Sequence, residues 1–158
     1  MRKILFVCTA NRCRSPMAER LFKKILHTKD QPPADWLVTS AGTWTTDGIP
    51  PGEKLIAAMA AFGIDIGDHR SRMLDANIIA DQDLVLVMEE HHKEALCFEF
   101  PDQSDRVFLL SEMIDQHFEI NDPFSGPLNA YLQTAKHIDA ILTQGLEKII
   151  EITQNKEL

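Results

Sequence analysis

The chain has few cysteines and no long apolar run, and both shortages exclude whole classes of protein. Its three cysteines, Cys8, Cys13 and Cys97, are too few for a disulfide framework and lack the paired spacing of a zinc site. No stretch approaches the roughly 20 apolar residues of a membrane helix. The apolar run near the N-terminus ends after four residues at Cys8, which is too short for a signal peptide. We therefore expect a cytoplasmic protein with no membrane partner.

Positive charge is also scarce. Lys and Arg number 16 against 24 Asp and Glu, which gives a formal net charge of −8. Sequence-independent binding to nucleic acid requires a basic surface, so nucleic acid is not expected as a partner. The sequence has no internal repeat, no low-complexity tract and no interdomain linker. Residues 1–158 are therefore predicted to form a single domain that is large enough to bury its own core.

Strand-like and helix-like segments alternate along this domain. Short apolar runs rich in β-branched residues predict strands, and apolar residues spaced three and four apart predict helices. This alternation indicates an α/β fold with a four-stranded, mainly parallel sheet flanked by helices on both faces. The predicted strands cover residues 3–7, 36–40, 83–88 and 106–110, and the predicted helices cover residues 15–27, 52–62, 89–98 and 128–152.

The loop after the first predicted strand carries the most chemistry. Cys8 and Arg14 stand six residues apart between a strand and the start of a helix. A helix N-terminus binds phosphate-like anions through its free N–H groups, and the same positive field stabilises a thiolate. We therefore predict a Cys8 nucleophile, with Arg14 donating paired hydrogen bonds to phosphoryl oxygens. The backbone N–H groups expected to bind the phosphate are those of Thr9, Ala10, Asn11, Arg12, Cys13, Arg14 and Ser15.

Phosphoryl transfer to a thiolate also needs an acid for the leaving oxygen. Asp122 is the best candidate, because an Asp in a loop rich in proline and glycine can lie over a site built by distant strands. The same carboxylate can then accept a proton from the water that hydrolyses the cysteinyl phosphate. The alternative is that Asp122 only begins a turn before Pro123.

A Cys-x5-Arg-Ser loop after the first strand and an Asp-Pro loop before the last helix resemble the low-molecular-weight protein tyrosine phosphatase family. The resemblance extends in order through nearly the whole chain and includes the segments Ser15-Pro16-Met17-Ala18-Glu19 and Ser40-Ala41-Gly42-Thr43. It implies a flavodoxin-like three-layer sandwich and a phosphocysteine intermediate, with Cys8, Arg14 and Asp122 as catalytic residues. It also implies a phosphorylated protein or peptide as substrate, inorganic phosphate as product, no metal or organic cofactor, and a supporting network of Asn11, Ser15, Ser40 and His69.

The residues expected around the phosphate match neither the phosphotyrosine-directed nor the phosphoarginine-directed members of the family. Tyrosine-directed members often carry two aromatics after Asp-Pro, whereas Phe124 is followed here by Ser125, which is similar to the protein-arginine phosphatase branch. That branch usually has threonine at the position of Arg12, and tyrosine-directed members have an aliphatic residue there. Arg12 either lies exposed at the rim or reaches the pocket. In the pocket its charge would disfavour a substrate guanidinium and favour acidic residues around a phosphotyrosine, or its side chain would stack on an aromatic ring. We expect phosphotyrosine to be preferred, with Trp44 and Phe124 as walls of the substrate site.

Besides phosphoryl transfer, the cysteines allow two further chemistries, arsenate reduction and disulfide formation. A thiol-dependent arsenate reductase would use the same loop but needs two further cysteines after the third strand, and the chain has only Cys97 there. That shortage counts against reductase activity. Cys13 either supports the turn as a small buried residue or captures an oxidised Cys8 as a disulfide.

Overall fold

Four parallel strands form the middle layer of the structure, a computed structural model that describes residues 1–155. The strands lie in the order β2-β1-β3-β4, and each neighbouring pair is parallel. The α/β fold predicted from the sequence is therefore confirmed, whereas residues 156–158 of the predicted domain lie outside the described residues. The strands are β1 (Arg2–Cys8), β2 (Trp36–Gly42), β3 (Leu84–Val87) and β4 (Val107–Leu109).

Helices cover both faces of this sheet. Within residues 1–155 they are α1 (Arg14–Thr28), α2 (Glu53–Ala60), α3 (Ala76–Ala80), α4 (Glu90–Glu99) and α5 (Leu128–Gln154). Four of them match the predicted helices to within two residues at each end. The sequence analysis missed α3, because five residues are too few to show a helical period. Its start is fixed by Asp75, whose Oδ1 accepts a hydrogen bond from the Ile78 N–H at 2.8 Å.

The sheet is buried on both faces, so alternate side chains of a strand enter two separate cores. In β1, Ile4 and Phe6 join the core that α1 and α5 cover, while Leu5 and Val7 join the core that α3 and α4 cover; all four are 0% exposed. Burial on both sides explains the nearly continuous apolar character of these strands. None of the helices in residues 1–155 combines the length and apolar character needed to cross a bilayer.

The topology places the loop after β1 where a ligand can reach it. The neighbours of β1 are β2 on one side and β3 on the other, so the direction of chain winding reverses at the carboxyl end of β1. Open α/β sheets bind ligands at such a switch point. The end of β2 lies tightly against this loop, since a Cβ atom added to Gly42 would come within 2.6 Å of the Thr9 carbonyl oxygen.

Candidate active site

A cavity of about 350 Å³ opens at the carboxyl end of β1. Its floor is the loop between β1 and α1, and its walls come from the end of β3 and from the segment before α5. The fold therefore brings together side chains that are more than a hundred residues apart in sequence. The cavity is lined by Cys8, Thr9, Ala10, Arg12, Cys13, Arg14, Glu89, Asp122 and Phe124.

Asn11 sets the shape of the loop. Its φ is 54°, in the left-handed region that asparagine tolerates better than most residues. The fully buried side chain donates from Nδ2 to Ser15 Oγ and to Ser40 Oγ, each at 2.9 Å. Its Oδ1 accepts a hydrogen bond from the Arg72 backbone N–H at 2.9 Å. Since both ends of the amide are bonded, the loop is held in one conformation.

His69 and Glu19 extend the network around Asn11. The His69 Nε2 donates to the Asn11 carbonyl oxygen at 2.9 Å, and Ser40 Oγ donates to Glu19 Oε2 at 2.6 Å. Burial lowers the pKa of His69, which favours the neutral ring with a single N–H. The residues implied by the family resemblance, Asn11, Ser15, Ser40 and His69, thus lie in one connected network. Glu19 belongs to it as well, which the sequence analysis did not predict.

The thiol of Cys8 lies at the floor of the cavity, 3.0 Å from Ser15 Oγ. Ser15 Oγ already accepts a hydrogen bond from Asn11, so it has its own proton left to donate. The other acceptor within reach is the Ala41 carbonyl oxygen at 3.4 Å, and the shorter contact favours the sulfur. The network behind the loop therefore ends in a hydroxyl within hydrogen-bond distance of the Cys8 thiol.

Arg14 is 1% exposed, and its guanidinium is held from one side. Its Nη1 donates to the Ile120 carbonyl oxygen at 2.7 Å and lies 3.1 Å from Glu89 Oε2. Its Nη2 lies 3.6 Å from Asp122 Oδ2, and its buried Nε has no hydrogen-bond partner in the described part of the chain. A buried donor left unpaired is costly. The Nε and Nη2 edge is therefore suited to receive an anion from the cavity.

Glu89 lines the cavity beside Arg14, and the fully buried His92 lies next to it, with its Nε2 3.7 Å from Glu89 Oε2; the sequence analysis missed both. The Glu89 backbone N–H donates to His92 Nδ1 at 3.1 Å, so the ring proton is on Nε2, which donates to Thr9 Oγ1 at 2.8 Å. Burial, together with the charges of His91 and Arg14, lowers the pKa of His92 to about 4. The position of Glu89 directly after a buried strand was the signal that could have found it.

Three of these side chains lie close enough to suggest a metal site. Glu89, His91 and His92 offer ligand atoms within 4.8 Å of one another. However, the Glu89 carboxylate is paired with Arg14, and both ring nitrogens of His92 are in hydrogen bonds. The Glu89 carboxylate and the His92 ring are therefore already engaged by other residues in the described part of the chain.

The segment before α5 forms the opposite wall. The Asp122 side chain is 44% exposed, and its Oδ1 accepts a hydrogen bond from the Phe124 N–H at 3.1 Å. This bond leaves Oδ2 facing Arg14 and the cavity. Phe124 lines the cavity with an exposed ring. Trp44, the other predicted wall, is 83% exposed and is not one of the lining residues; its backbone N–H donates to the Thr9 carbonyl oxygen at 2.9 Å.

Cys13 has a different environment from Cys8, although both are free, buried thiols. Burial raises the pKa of Cys13 to about 11, and the hydroxyl of Tyr131 is its hydrogen-bonding neighbour. Burial likewise raises the pKa of Tyr131 to about 12. Because only a thiolate attacks an oxidised cysteine efficiently, this setting favours the reading of Cys13 as a small residue that supports the turn.

Comparison with known proteins identifies this arrangement of loop and fold. A family model described as low molecular weight phosphotyrosine protein phosphatase matches residues 3–155. The chain is 35% identical over 138 residues to the probable low molecular weight protein-tyrosine-phosphatase EpsP of Ralstonia nicotianae, covering 87% of this chain and 89% of the relative.

Relatives with a different named substrate are equally similar. The chain is 34% identical over 142 residues to a protein-arginine-phosphatase of Bacillus subtilis, covering 89% of this chain and 92% of the relative. The structure of a YwlE arginine phosphatase mutant with a phosphorylated active-site serine matches with a TM-score of 0.87 at 32% identity, covering 93% of this chain and 95% of that one.

The lowered pKa of His92 predicts an acid-sensitive structure. The folded protein keeps this ring neutral down to about pH 4, whereas the ring in the unfolded chain binds a proton below about 6.5. The free energy of unfolding therefore falls as the pH drops from about 6.5 to about 4, by on the order of a few kcal/mol. His92→Gln cannot titrate, so its stability, measured by urea denaturation at several pH values, should fall less over this interval.

His27→Gln is the matched control for this experiment, because His27 is an exposed histidine in the last turn of α1. This control should keep the pH dependence of the wild type. Buried His69 and the carboxylates of Glu89 and Asp68, whose pKa values are also lowered, contribute to the slope that remains in His92→Gln. An unchanged slope in His92→Gln would contradict the assignment of His92 as a neutral buried donor.

Proposed function

The chain belongs to the low molecular weight phosphotyrosine protein phosphatase family, whose members are phosphoric monoester hydrolases, and we propose that it dephosphorylates phosphotyrosine in proteins. The proposed catalytic residues are Cys8, Arg14 and Asp122. One observation carries the proposal: the Cys8 thiol, the open edge of the buried Arg14 guanidinium and the Asp122 carboxylate line a single cavity.

In the first step, Cys8 Sγ attacks the phosphorus, and the bond between phosphorus and the leaving oxygen breaks. Arg14 donates from Nε and Nη2 to two phosphoryl oxygens while Ile120 and Glu89 hold Nη1 in place. The loop N–H groups from Thr9 to Ser15 bind the charge that develops in the transition state. Asp122 transfers its proton to the leaving phenolate oxygen.

In the second step, water attacks the phosphorus of the cysteinyl phosphate, and the sulfur–phosphorus bond breaks. Asp122, now a carboxylate, accepts a proton from this water, and inorganic phosphate leaves. Cys8 returns to its thiolate form beside the Ser15 hydroxyl. The phosphorylated active-site serine in the YwlE mutant structure supports a covalent phosphoenzyme for this chain too.

Phosphotyrosine is the substrate class that the cavity walls favour. The exposed ring of Phe124 offers a face for a substrate phenyl group. Arg12, which also lines the cavity, would repel the guanidinium of phosphoarginine. Phosphoarginine is the second candidate, because Ser125 follows Phe124 and a protein-arginine-phosphatase is among the similar proteins.

Arsenate reduction is a weaker candidate. Of the cysteines, Cys8 and Cys13 belong to the core under α1 and α5, whereas Cys97 packs against the core on the other face of the sheet. This separation counts against a relay of thiols that would resolve an arsenic adduct at Cys8.

The proposal also covers the location of the enzyme, its kind of substrate and its need for cofactors. A cysteine nucleophile must stay reduced, which supports the cytoplasm as its location. The acidic net charge of −8 supports a protein substrate rather than a nucleic acid. The proposed steps use the side chains and backbone of the chain, treated as one domain of residues 1–158, with neither a metal nor an organic cofactor.

Cys8→Ser should abolish turnover and retain the binding of phosphate or vanadate. A serine hydroxyl is a far weaker nucleophile than a thiolate, whereas Arg14 and the loop N–H groups stay in place. Release of p-nitrophenol measures turnover, and calorimetric titration with vanadate measures binding. Cys97→Ser is the control and should turn over normally; full activity in Cys8→Ser would refute covalent catalysis.

Asp122→Ala should slow substrates with poor leaving groups far more than p-nitrophenyl phosphate. A loss of about 10²- to 10⁴-fold is typical for removal of a general acid, and p-nitrophenolate leaves with little need of a proton. The measurement is kcat for phosphotyrosine and for p-nitrophenyl phosphate in wild type and variant. Asp102→Ala, at an exposed carboxylate, should change neither rate. Equal slowing of both substrates by Asp122→Ala would exclude Asp122 as the acid.

A side-by-side assay tests the substrate class. We expect kcat/KM for a phosphotyrosine peptide to exceed that for a phosphoarginine peptide of matched sequence, because Arg12 and Phe124 favour an aryl group over a guanidinium. Arsenate with a thiol reductant is the third arm and should show no reduction. A higher kcat/KM for phosphoarginine would overturn the choice of substrate but not the mechanism.

A further inference from the structure

We propose that Arg12 and a second cavity beside the active site form a subsite for an acidic side chain next to the phosphotyrosine, so that the enzyme prefers acidic phosphotyrosine sequences. This inference rests on the proposed function, because it concerns the residues that flank the phosphotyrosine. It assigns a role to the one loop residue that matches neither substrate pattern of the family.

The second cavity has a volume of about 280 Å³ and adjoins the catalytic one. Arg12, Cys13 and Phe124 line both cavities and therefore form the wall between them. Successive residues of an extended peptide are about 3.3 to 3.6 Å apart along the chain. Because Arg12 lines both cavities, a peptide with its phosphotyrosine in the first cavity can place a nearby side chain over Arg12.

Arg12 is available for such a side chain. Among the arginines in residues 1–155, Arg12 is the one for which the structure shows no hydrogen bond, ion pair or ring contact. Arg2 lies over the Trp36 ring, and the remaining arginines donate hydrogen bonds to carboxylates or carbonyl oxygens. Arg12 is also partly exposed. At Tyr131, which lines the second cavity, burial raises the pKa of the hydroxyl and the charge of Asp122 acts in the same direction, whereas the charge of Arg12 opposes the rise.

The other wall of the second cavity adds a further positive charge. Lys54, in the first turn of α2, lines this cavity, and its Nζ donates to the Gly126 carbonyl oxygen at 2.7 Å. This bond also ties α2 to the loop that carries Phe124. Glu53 is the opposing charge among the lining residues and is exposed. Two cations against one anion favour an acidic side chain over a basic one, and Glu53 should weaken that preference.

Two phosphotyrosine peptides that differ only in Glu or Gln on either side of the phosphotyrosine test the subsite. We expect the wild type to have a kcat/KM about two- to fivefold higher for the Glu peptide, the range of a partly exposed ion pair. Arg12→Gln should bring this ratio close to one, and Glu53→Gln should raise it. Higher ionic strength should reduce the wild-type ratio.

Lys29→Gln is the matched control, since it removes one positive charge at the far end of α1 from the active site and should keep the wild-type ratio. A kcat/KM ratio of one in the wild type, or an unchanged ratio in Arg12→Gln, would overturn the subsite. Hydrolysis of both peptides would at the same time uphold the phosphatase assignment. If neither peptide is hydrolysed, the proposed function fails. In that case equal Kd values of the two peptides for Cys8→Ser would overturn the subsite, and tighter binding of the Glu peptide would support it.

Discussion

The left-handed backbone of Asn11, held by its own side chain, is the constraint on which the rest of the site depends. With φ at 54° and hydrogen bonds to Ser15, Ser40 and the Arg72 backbone, it turns the chain so that the loop closes around a cavity. The Asn11 amide donates to one side of the Ser15 hydroxyl, so the proton of that hydroxyl is left for Cys8 Sγ at 3.0 Å or the Ala41 carbonyl oxygen at 3.4 Å. Gly42 supports the same conformation from outside, since a larger residue would collide with Thr9.

Arg14 is a buried cation in an acidic protein, and one edge of its guanidinium, beside the cavity, is left without hydrogen-bond partners among the described residues. The side chain is buried, and Ile120 and Glu89 hold one end of the guanidinium, so the orientation of the other edge is set before substrate arrives. Burial of the charge is tolerable because two carboxylates lie near it. The unpaired Nε is the part of this arrangement that a phosphate would complete.

The proposed function assigns reaction and substrate choice to different residues of the same loop. Cys8 and Arg14 lie at the floor of the cavity, where the phosphoryl group would be bound regardless of what carries it. Arg12 is partly exposed and lines both cavities, where it would face the remainder of the substrate. The proposed separation agrees with the near-equal similarity of the chain to a tyrosine phosphatase and to an arginine phosphatase.

The sequence by itself determined the four strands, the four longer helices and, through spacing and family resemblance, the roles expected of Cys8, Arg14 and Asp122. These features are local, because hydrophobic period and motif spacing are properties of neighbouring residues. Tertiary structure alone decided the contacts of Glu89 and His92 with the loop, the open edge of Arg14 and the cavity between Arg12 and α2. Those contacts join segments far apart in the chain, so they depend on how the helices and loops pack at the carboxyl end of the sheet.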